Sequence, residues 1–511
     1  MNLNRRNFLF GSAAAAALAG CSTTKTGLRP LKAGEKRTVA LIGYGIQMRG
    51  TLLNQFLNLK DRVSVVAVCD CNRLRSEDGA KKVNAAYGSD GCRAETDFRK
   101  IIDDPSIDMV CIATPDHWHA YIAVEAMKHG KDVYCEKPLT FNPDESKKII
   151  AAQKKYDRVF QTGSMQRAWP EFRTACMIVR NGFIGDIKYV DANYGIGGQK
   201  LGGPSHPVRF FDDPANAAQE SVPAPHIDWD MWLGPAKWRP YSDKLAPRGI
   251  NEKYPMFWRF DDDLGTGYNG DWGAHHLDIA QWGLDMDKSG PYRIIRSDEP
   301  YSTNLYHGGR RQFGMKMLFK KPYGDVELYH GPFGYLTGRG GWGTVFYGTK
   351  GIVAVNRGKI AVWEGVGIKP TLEIRKQLED VSFSGMKLVA ASIGKDYGDD
   401  AEAKKDNKLD VTLKKLAAVY KLDQAPVQLY KTTSKSQVEN FVQCVESRAE
   451  TVSTAETGAR GAVLCQLCNM SYVYDTGFDW DPVNLDFAGE SRKLGIPLKR
   501  DYCRNGWEVS V

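Results

Sequence analysis

The sequence predicts an α/β fold whose first domain is a parallel, doubly wound sheet. Three observations carry that prediction. Short apolar runs at Val39–Ile42, 63–70, 108–115 and 132–140 alternate with segments of helical spacing. The first run turns at Gly43-Tyr44-Gly45 and continues as a helical pattern. The second ends in Asp70, about one βαβ unit further on.

The chain has 511 residues, enough for two or three domains with sizeable cores. Its net charge of +8 is spread, with Lys and Arg scattered among Asp and Glu, so nucleic acid is not an expected partner. No apolar run reaches about 18 residues, the length of a transmembrane helix. At the start, "NRRNFLF" carries Arg5 and Arg6 ahead of the small-residue run "GSAAAAALAGC". Residues 1–21 resemble a twin-arginine export signal, and "LAGC" a lipobox whose Cys21 would carry a lipid anchor. The expected location is therefore exported, periplasmic or lipid-anchored to the cell envelope, with 22–36 as a tether.

Residues 37–160 are expected to form a dinucleotide-binding domain. Gly43 and Gly45 permit a tight turn and close approach of a pyrophosphate to the helix N-terminus, with Ile46 and Gln47 opening that helix. Met48 stands where a third glycine is usual, so the turn alone is a weak signal. Asp70 can accept hydrogen bonds from ribose hydroxyls and would repel a 2′-phosphate, which favours NAD, although nearby Arg73 and Arg75 leave NADP open. Thr114, Pro115, His117, His119, Glu136 and Lys137 all fall at strand ends, where such sheets bind ligands. His117 and His119 either cap the following helix or face the ligand.

Further along, "GDWGAHHLDIAQWG" places Asp271, His275 and Asp278 on one helical face, with His276 about 100° round. "IGYG", "CDCN", "ATPDHWH", "CEKPLT" and "GDWGAHHLD" occur in the order found in the glucose–fructose oxidoreductase/inositol dehydrogenase (Gfo/Idh/MocA) family, which the chain resembles after residue 36. The resemblance implies a second α/β domain, here 161–511, with a large, mainly antiparallel sheet, and a homo-oligomer is expected. It implies that Lys137 is the catalytic-site lysine and that Asp271 and His275 are the D-x-x-x-H pair.

The chemistry agrees. Oxidising a secondary alcohol needs a base for the hydroxyl proton, and a histidine with an unperturbed pKa of about 6.5 suits that. An ammonium at Lys137 can stabilise charge on the reacting oxygen. Asp271 would hold the substrate or the imidazole in register. No complementary His/Asp/Glu cluster accompanies them, so no metal site is expected.

Trp229, Trp232, Trp238 and Trp258 concentrate at 226–263 with Arg239 and Arg259. Aromatic faces suit a sugar but serve equally as core. Trp232 and Trp258 are candidate substrate contacts, as are His276 and, at the start of the second domain, Arg167. The charged stretch Arg375–Gln424 reads as a surface insertion, and Cys465-x-x-Cys468 as core packing.

An NAD(P)-dependent oxidoreductase acting on a small carbohydrate is thus expected. Two alternatives are a redox-neutral NAD-dependent glycoside-cleaving enzyme, whose best-known relatives lack the "EKP" lysine, and a non-catalytic lipid-anchored sugar-binding protein.

Overall fold

The computed structural model describes residues 31, 34–194, 221–251, 257–297, 306–307, 310–311, 314–330, 343–367, 369, 385–392, 408–430 and 436–511. The candidate export signal, with Arg5, Arg6 and Cys21, lies outside these residues. Among the described residues, no helix is long and apolar enough to cross a membrane.

Strands β1 (Arg37–Ile42), β2 (Val63–Cys69), β3 (Arg93–Glu95), β4 (Met109–Ile112), β5 (Asp132–Cys135) and β6 (Phe160–Thr162) form one parallel sheet in the order β3-β2-β1-β4-β5-β6. Every residue of β4 and β5 is buried, because helices cover both faces of the sheet. The helices are α1 (Leu53–Leu57), α2 (Arg73–Tyr87), α3 (Phe98–Ile102), α4 (Asp116–Lys128) and α5 (Pro143–Tyr156). Their starts follow local chemistry. Asn72 caps α2 by accepting from the Leu74 N–H, and Asn142 caps α5 by accepting from Glu145, with Pro143 at the first helical position. Strand order reverses between β1 and β4, which opens a crevice at their C-terminal ends.

The second domain begins with α6 (Pro170–Arg180), β7 (Ile187–Ala192), α7 (Trp229–Leu233) and α8 (Ala274–Gly283). It continues through β8 (Arg293–Ser297), a small ribbon of β9 (Tyr306–His307) and β10 (Arg310–Arg311), then β11 (Gly314–Lys321), β12 (Gly324–His330), β13 (Thr344–Gly348), β14 (Gly351–Asn356), β15 (Lys359–Glu364) and β16 (Lys387–Ala391). With β17 (Phe478–Asp481) and β18 (Asp486–Phe487) these build a ten-stranded sheet, β16-β15-β14-β13-β7-β12-β11-β8-β17-β18. Every pairing is antiparallel except β7 with β12.

Two expectations are corrected here. The described parts of Arg375–Gln424 are not all surface: β16 is an edge strand of the large sheet, and helix α9 (Lys408–Val419) buries Leu416 in the adjoining core. Nor is packing divided at residue 160. Strand β6 runs to Thr162, and helix α10 (Gln437–Ser447) returns to bury Val438, Phe441 and Val442 against the first sheet. Helix α11 (Ala455–Tyr474) places Ala455 and Ala459 in the first domain's core and Val463, Leu464, Cys465, Leu467 and Cys468 in the second's. An apolar face along one helix is shared by two cores, so periodicity alone could not assign it to either. Cys465 and Cys468 are buried free thiols, as core packing requires.

Arg167 is also not at the substrate. Its side chain is 1% exposed and makes bonds of 2.7 and 2.8 Å to Asp278 and of 2.7 and 3.0 Å to Asp287, with the Trp282 ring beside it. Desolvation of a guanidinium is offset here by two carboxylates, which fixes α8 against the start of the second domain. Replacing Arg167 with Met strands Asp278 in the core. Urea unfolding is expected to show a loss of about 3–5 kcal/mol; a change under about 1 kcal/mol, the range of an exposed pair, would contradict a structural role.

Candidate active site

The crevice holds one continuous cleft lined from both domains. At its floor the β1–α1 turn depends on Gly43. Its φ is +85°, and a Cβ there would sit 2.7 Å from the Thr114 nitrogen and 2.8 Å from the Ala113 carbonyl oxygen. Asp70 stabilises the same turn, accepting from the Tyr44 and Asn72 N–H groups at 2.8 Å each. Gly45, Ile46, Gln47, Asp70, Thr114 and Pro115 all line the cleft.

These residues fit a dinucleotide on the structure's own terms. The Gly43 cradle has no room for a side chain, and Thr114 Oγ1 is buried in the cleft wall without a hydrogen-bond partner. Both nearby arginines have other work. Arg73 pairs with Glu77 at 2.7 Å, and Arg75 donates to the Pro247 and Gly249 carbonyls. That arrangement leaves the ribose end to Asp70 and favours NAD.

Glu136 directly follows β5 with its carboxylate buried; Gln47 donates to it at 3.1 Å and the Lys137 N–H at 3.2 Å. Burial raises its pKa, and Lys137 opposes the shift. Gly163 makes this possible, since a Cβ there would stand 2.7 Å from the Glu136 carboxyl carbon. His119 lines the cleft, yet both its ring nitrogens face carbonyls, Pro138 at 2.8 Å and Thr114 at 2.9 Å. It ties together the two loops that carry Thr114 and Lys137. His117 likewise bridges the Leu264 and Trp232 carbonyls. Neither histidine caps α4.

Lys137 and Asp271 meet across the domain boundary. Lys137 Nζ donates to Asp271 Oδ1 and to the Asp271 carbonyl, each at 2.8 Å, leaving its third N–H for another acceptor. Arg259 Nε lies 3.5 Å from Asp271 Oδ2. Asp271 therefore holds the lysine and makes no hydrogen bond to the His275 imidazole. His275 lines the cleft, with the Trp272 ring edge-on at 5.9 Å and its Nδ1 buried without a partner. Burial, aided by Lys137 and Arg357, holds its pKa well below the ordinary 6.5. The imidazole is neutral and can accept a proton.

The single helical face expected for Asp271, His275 and Asp278 is broken. Residues Asn269–Gly273 form a π turn before α8, and Asp278 turns away to Arg167. His276 is buried beside the Tyr194 ring, stacked at 6.4 Å, and does not line the cleft; like Arg167, it is corrected to a structural role. Trp232 and Trp258 do line it. Trp232 stacks on Trp229 at 4.8 Å within a small core of its own, whereas Trp258 lies under the Arg259 guanidinium at 4.5 Å. Sequence reasoning missed Arg357, Gly163 and, as a site residue, Arg259; no motif surrounds Arg357 to mark it. Among the described residues, no group of three or more His, Cys, Asp or Glu side chains is arranged to hold a metal.

Comparison with known proteins finds similarity in two regions of the chain. Residues 37–164 match the Gfo/Idh/MocA oxidoreductase family model for the NAD-binding Rossmann fold, and 209–308 match that for its C-terminal alpha/beta domain. Both matched regions are similar to that family, whose first model is described as an NAD-binding Rossmann fold. An uncharacterised oxidoreductase, YrbE, of Bacillus subtilis is 38% identical over 27% of this chain and 38% of its own length. Levoglucosan dehydrogenase of Pseudarthrobacter phenanthrenivorans is 42% identical over 18% of this chain and 24% of its own, and inositol 2-dehydrogenase 4 of Saccharopolyspora erythraea 35% over 29% and 42%. The aligned stretches thus span less than half the length of these curated relatives. Among solved structures, an oxidoreductase domain protein from Kribbella flavida aligns with TM-score 0.51 and 17% identity over 87% of this chain and 99% of its own. Levoglucosan dehydrogenase in complex with NADH and levoglucosan aligns with TM-score 0.50 and 18% identity over the same shares. At these identities the structural likeness is one of fold.

Several buried histidines are held neutral. Burial lowers His276 to about 3 and His330 to about 4, and His275 also lies well below 6.5. Below pH 6.5 the unfolded chain protonates these histidines and the folded chain does not, so their contribution to stability falls as pH drops through that value. Burial raises Glu145 to about 7 and Asp261 to about 6, which acts in the opposite direction over the same range. The histidine contribution is therefore read as a difference. Between pH 7.5 and pH 5 the wild type is expected to lose about 2 kcal/mol more in urea unfolding than His330→Asn does. The same change in both would contradict neutral burial of that histidine.

Proposed function

We propose that the protein oxidises a hydroxyl of a small sugar or glycoside with NAD, and keeps the nucleotide bound between turnovers. The observation that carries this is the junction of Lys137, Asp271 and neutral His275 in one cleft with the glycine turn. When bound, NAD supplies the hydride acceptor. His275 takes the hydroxyl proton, Lys137 donates to the same oxygen as negative charge develops, and Asp271 orients the ammonium. Relatives named levoglucosan dehydrogenase and inositol 2-dehydrogenase support a polyhydroxylated substrate.

Retention is supported by a strap from the second domain. Residues 226–250 run across the ends of β2 and α2. The Asp228 and Arg73 N–H groups bond the Cys71 and His226 carbonyls, and Asn72 reaches the Arg248 carbonyl at 3.1 Å. Arg49 bonds the Ile250 carbonyl, while Leu245, Ala246 and Pro247 line the cleft beside Asp70. A nucleotide seated there would lie between Asp70 and this strap. Nanomolar retention, about −12 kcal/mol, suits a protein exported with its cofactor on board, because the expected destination lacks a cytoplasmic nucleotide pool.

The test is gel filtration followed by denaturation and nucleotide assay. Near-stoichiometric NAD(H) is expected in the wild type and in Lys137→Ala and His275→Ala, with sugar turnover in both variants reduced about 10²–10⁴-fold. Full turnover by either variant overturns the catalytic assignment. An empty wild-type protein that needs millimolar NAD overturns retention. Release of p-nitrophenol from glycosides without NADH accumulation would turn the reaction to redox-neutral cleavage.

A further inference from the structure

Arg357 follows β14 in the turn to β15 and lines the cleft with His275 and Lys137. Its Nε donates to Gln166 Oε1 at 3.0 Å, and its guanidinium lies 4.8 Å from the Trp272 ring centre and 5.5 Å from that of Trp169. The head is thus fixed in orientation. Gln166 is a neutral partner, and among the described residues no carboxylate lies within ion-pair distance of Arg357. Its two terminal nitrogens make no hydrogen bond to the described protein. Asp271, the acid that acts on it electrostatically, is already engaged by Lys137 at 2.8 Å and Arg259 at 3.5 Å. Of the other acids lining the cleft floor or next to this turn, Asp116 is committed to Thr266, Glu136 to Gln47 and the Lys137 N–H, and Glu171 accepts from the Gly358 N–H at 2.9 Å without pairing with Arg357.

The reaction end of the cleft therefore gathers three cations, Lys137, Arg259 and Arg357, around one shared carboxylate. An oxidised nicotinamide adds positive charge of its own. Arg357 is partly buried with no anion beside it, which is unfavourable, and a fixed planar fork with two nitrogens open to the cleft is complementary to a carboxylate.

Resting on the assignment of this cleft as a hydroxyl-oxidising site, we infer that Arg357 is an anion-recognition residue and that the substrate is an acidic sugar, a uronic or aldonic acid whose carboxylate docks on it. The carboxylate takes no part in the redox step. It orients the ring so that one hydroxyl meets His275 and Lys137. A neutral sugar would leave Arg357 desolvated and unpaired, which provides discrimination as well as affinity.

Binding rather than turnover decides this, so it can fail independently of the proposed reaction. Trp272, Trp169 and Trp258 lie beside the site, and quenching of tryptophan fluorescence in NADH-loaded protein reports occupancy. Glucuronate, galacturonate and gluconate are compared with glucose, galactose and myo-inositol, and with glucose 6-phosphate. At least one acidic sugar is expected to bind about 10–100-fold more tightly than its neutral counterpart. That ratio falls toward one in Arg357→Gln and is partly kept in Arg357→Lys. Equal binding of acidic and neutral sugars, no binding of any acidic sugar at millimolar concentration, or a preference that survives Arg357→Gln overturns the inference. Tighter binding of the phosphate ester than of every carboxylate overturns the assigned class. Turnover of neutral sugars with no acidic preference would leave the oxidoreductase assignment standing while overturning this one.

Discussion

Lys137 and Asp271 come from different domains, and the proposed chemistry exists only where they meet. The lysine follows strand β5 of the parallel sheet by two residues, and the aspartate lies in the π turn ahead of α8. Two donor contacts of 2.8 Å fix the ammonium. An exposed ion pair of this kind contributes little, but this one is largely buried and its partners are set by folded backbone on both sides. Its geometry therefore depends on how rigidly the domains are joined.

Several contacts supply that rigidity. Asp116 at the start of α4 accepts from both the N–H and the hydroxyl of Thr266, just ahead of the π turn. His117 bridges two carbonyls of the second domain, and α11 runs through both hydrophobic cores. Behind α8, Arg167 clamps Asp278 and Asp287. The histidine that faces the cleft is left with few polar neighbours and with cations nearby. The same burial that stabilises α8 thus keeps His275 unprotonated and available as a base.

The sequence revealed the features that are local and failed on those that depend on distant partners. The Gly43 turn, Asp70 at the end of β2, and the D-x-x-x-H spacing are each written within a few residues, because turn sterics and strand ends act over that range. Arg167 resisted because its carboxylates lie 111 and 120 residues away, and a buried arginine looks the same in sequence as one that contacts a ligand. Asp278 misled for the related reason that a helical face does not say which wall it meets. Gly163 is required by Glu136, 27 positions upstream, and Arg357 enters the site from a turn of the other sheet. Domain limits were blurred by helices that return from the C-terminal end of the chain to complete the first core.

The central claim is that Lys137 and Asp271 act as one unit on the reacting oxygen. A double-mutant cycle on single-turnover hydride transfer tests it, using Lys137→Ala, Asp271→Asn and the double variant. If the aspartate acts only through the lysine, the double variant is expected to be about as slow as Lys137→Ala alone, a strongly non-additive result. Rate losses that simply multiply would mean that the two residues work independently, and would contradict the account.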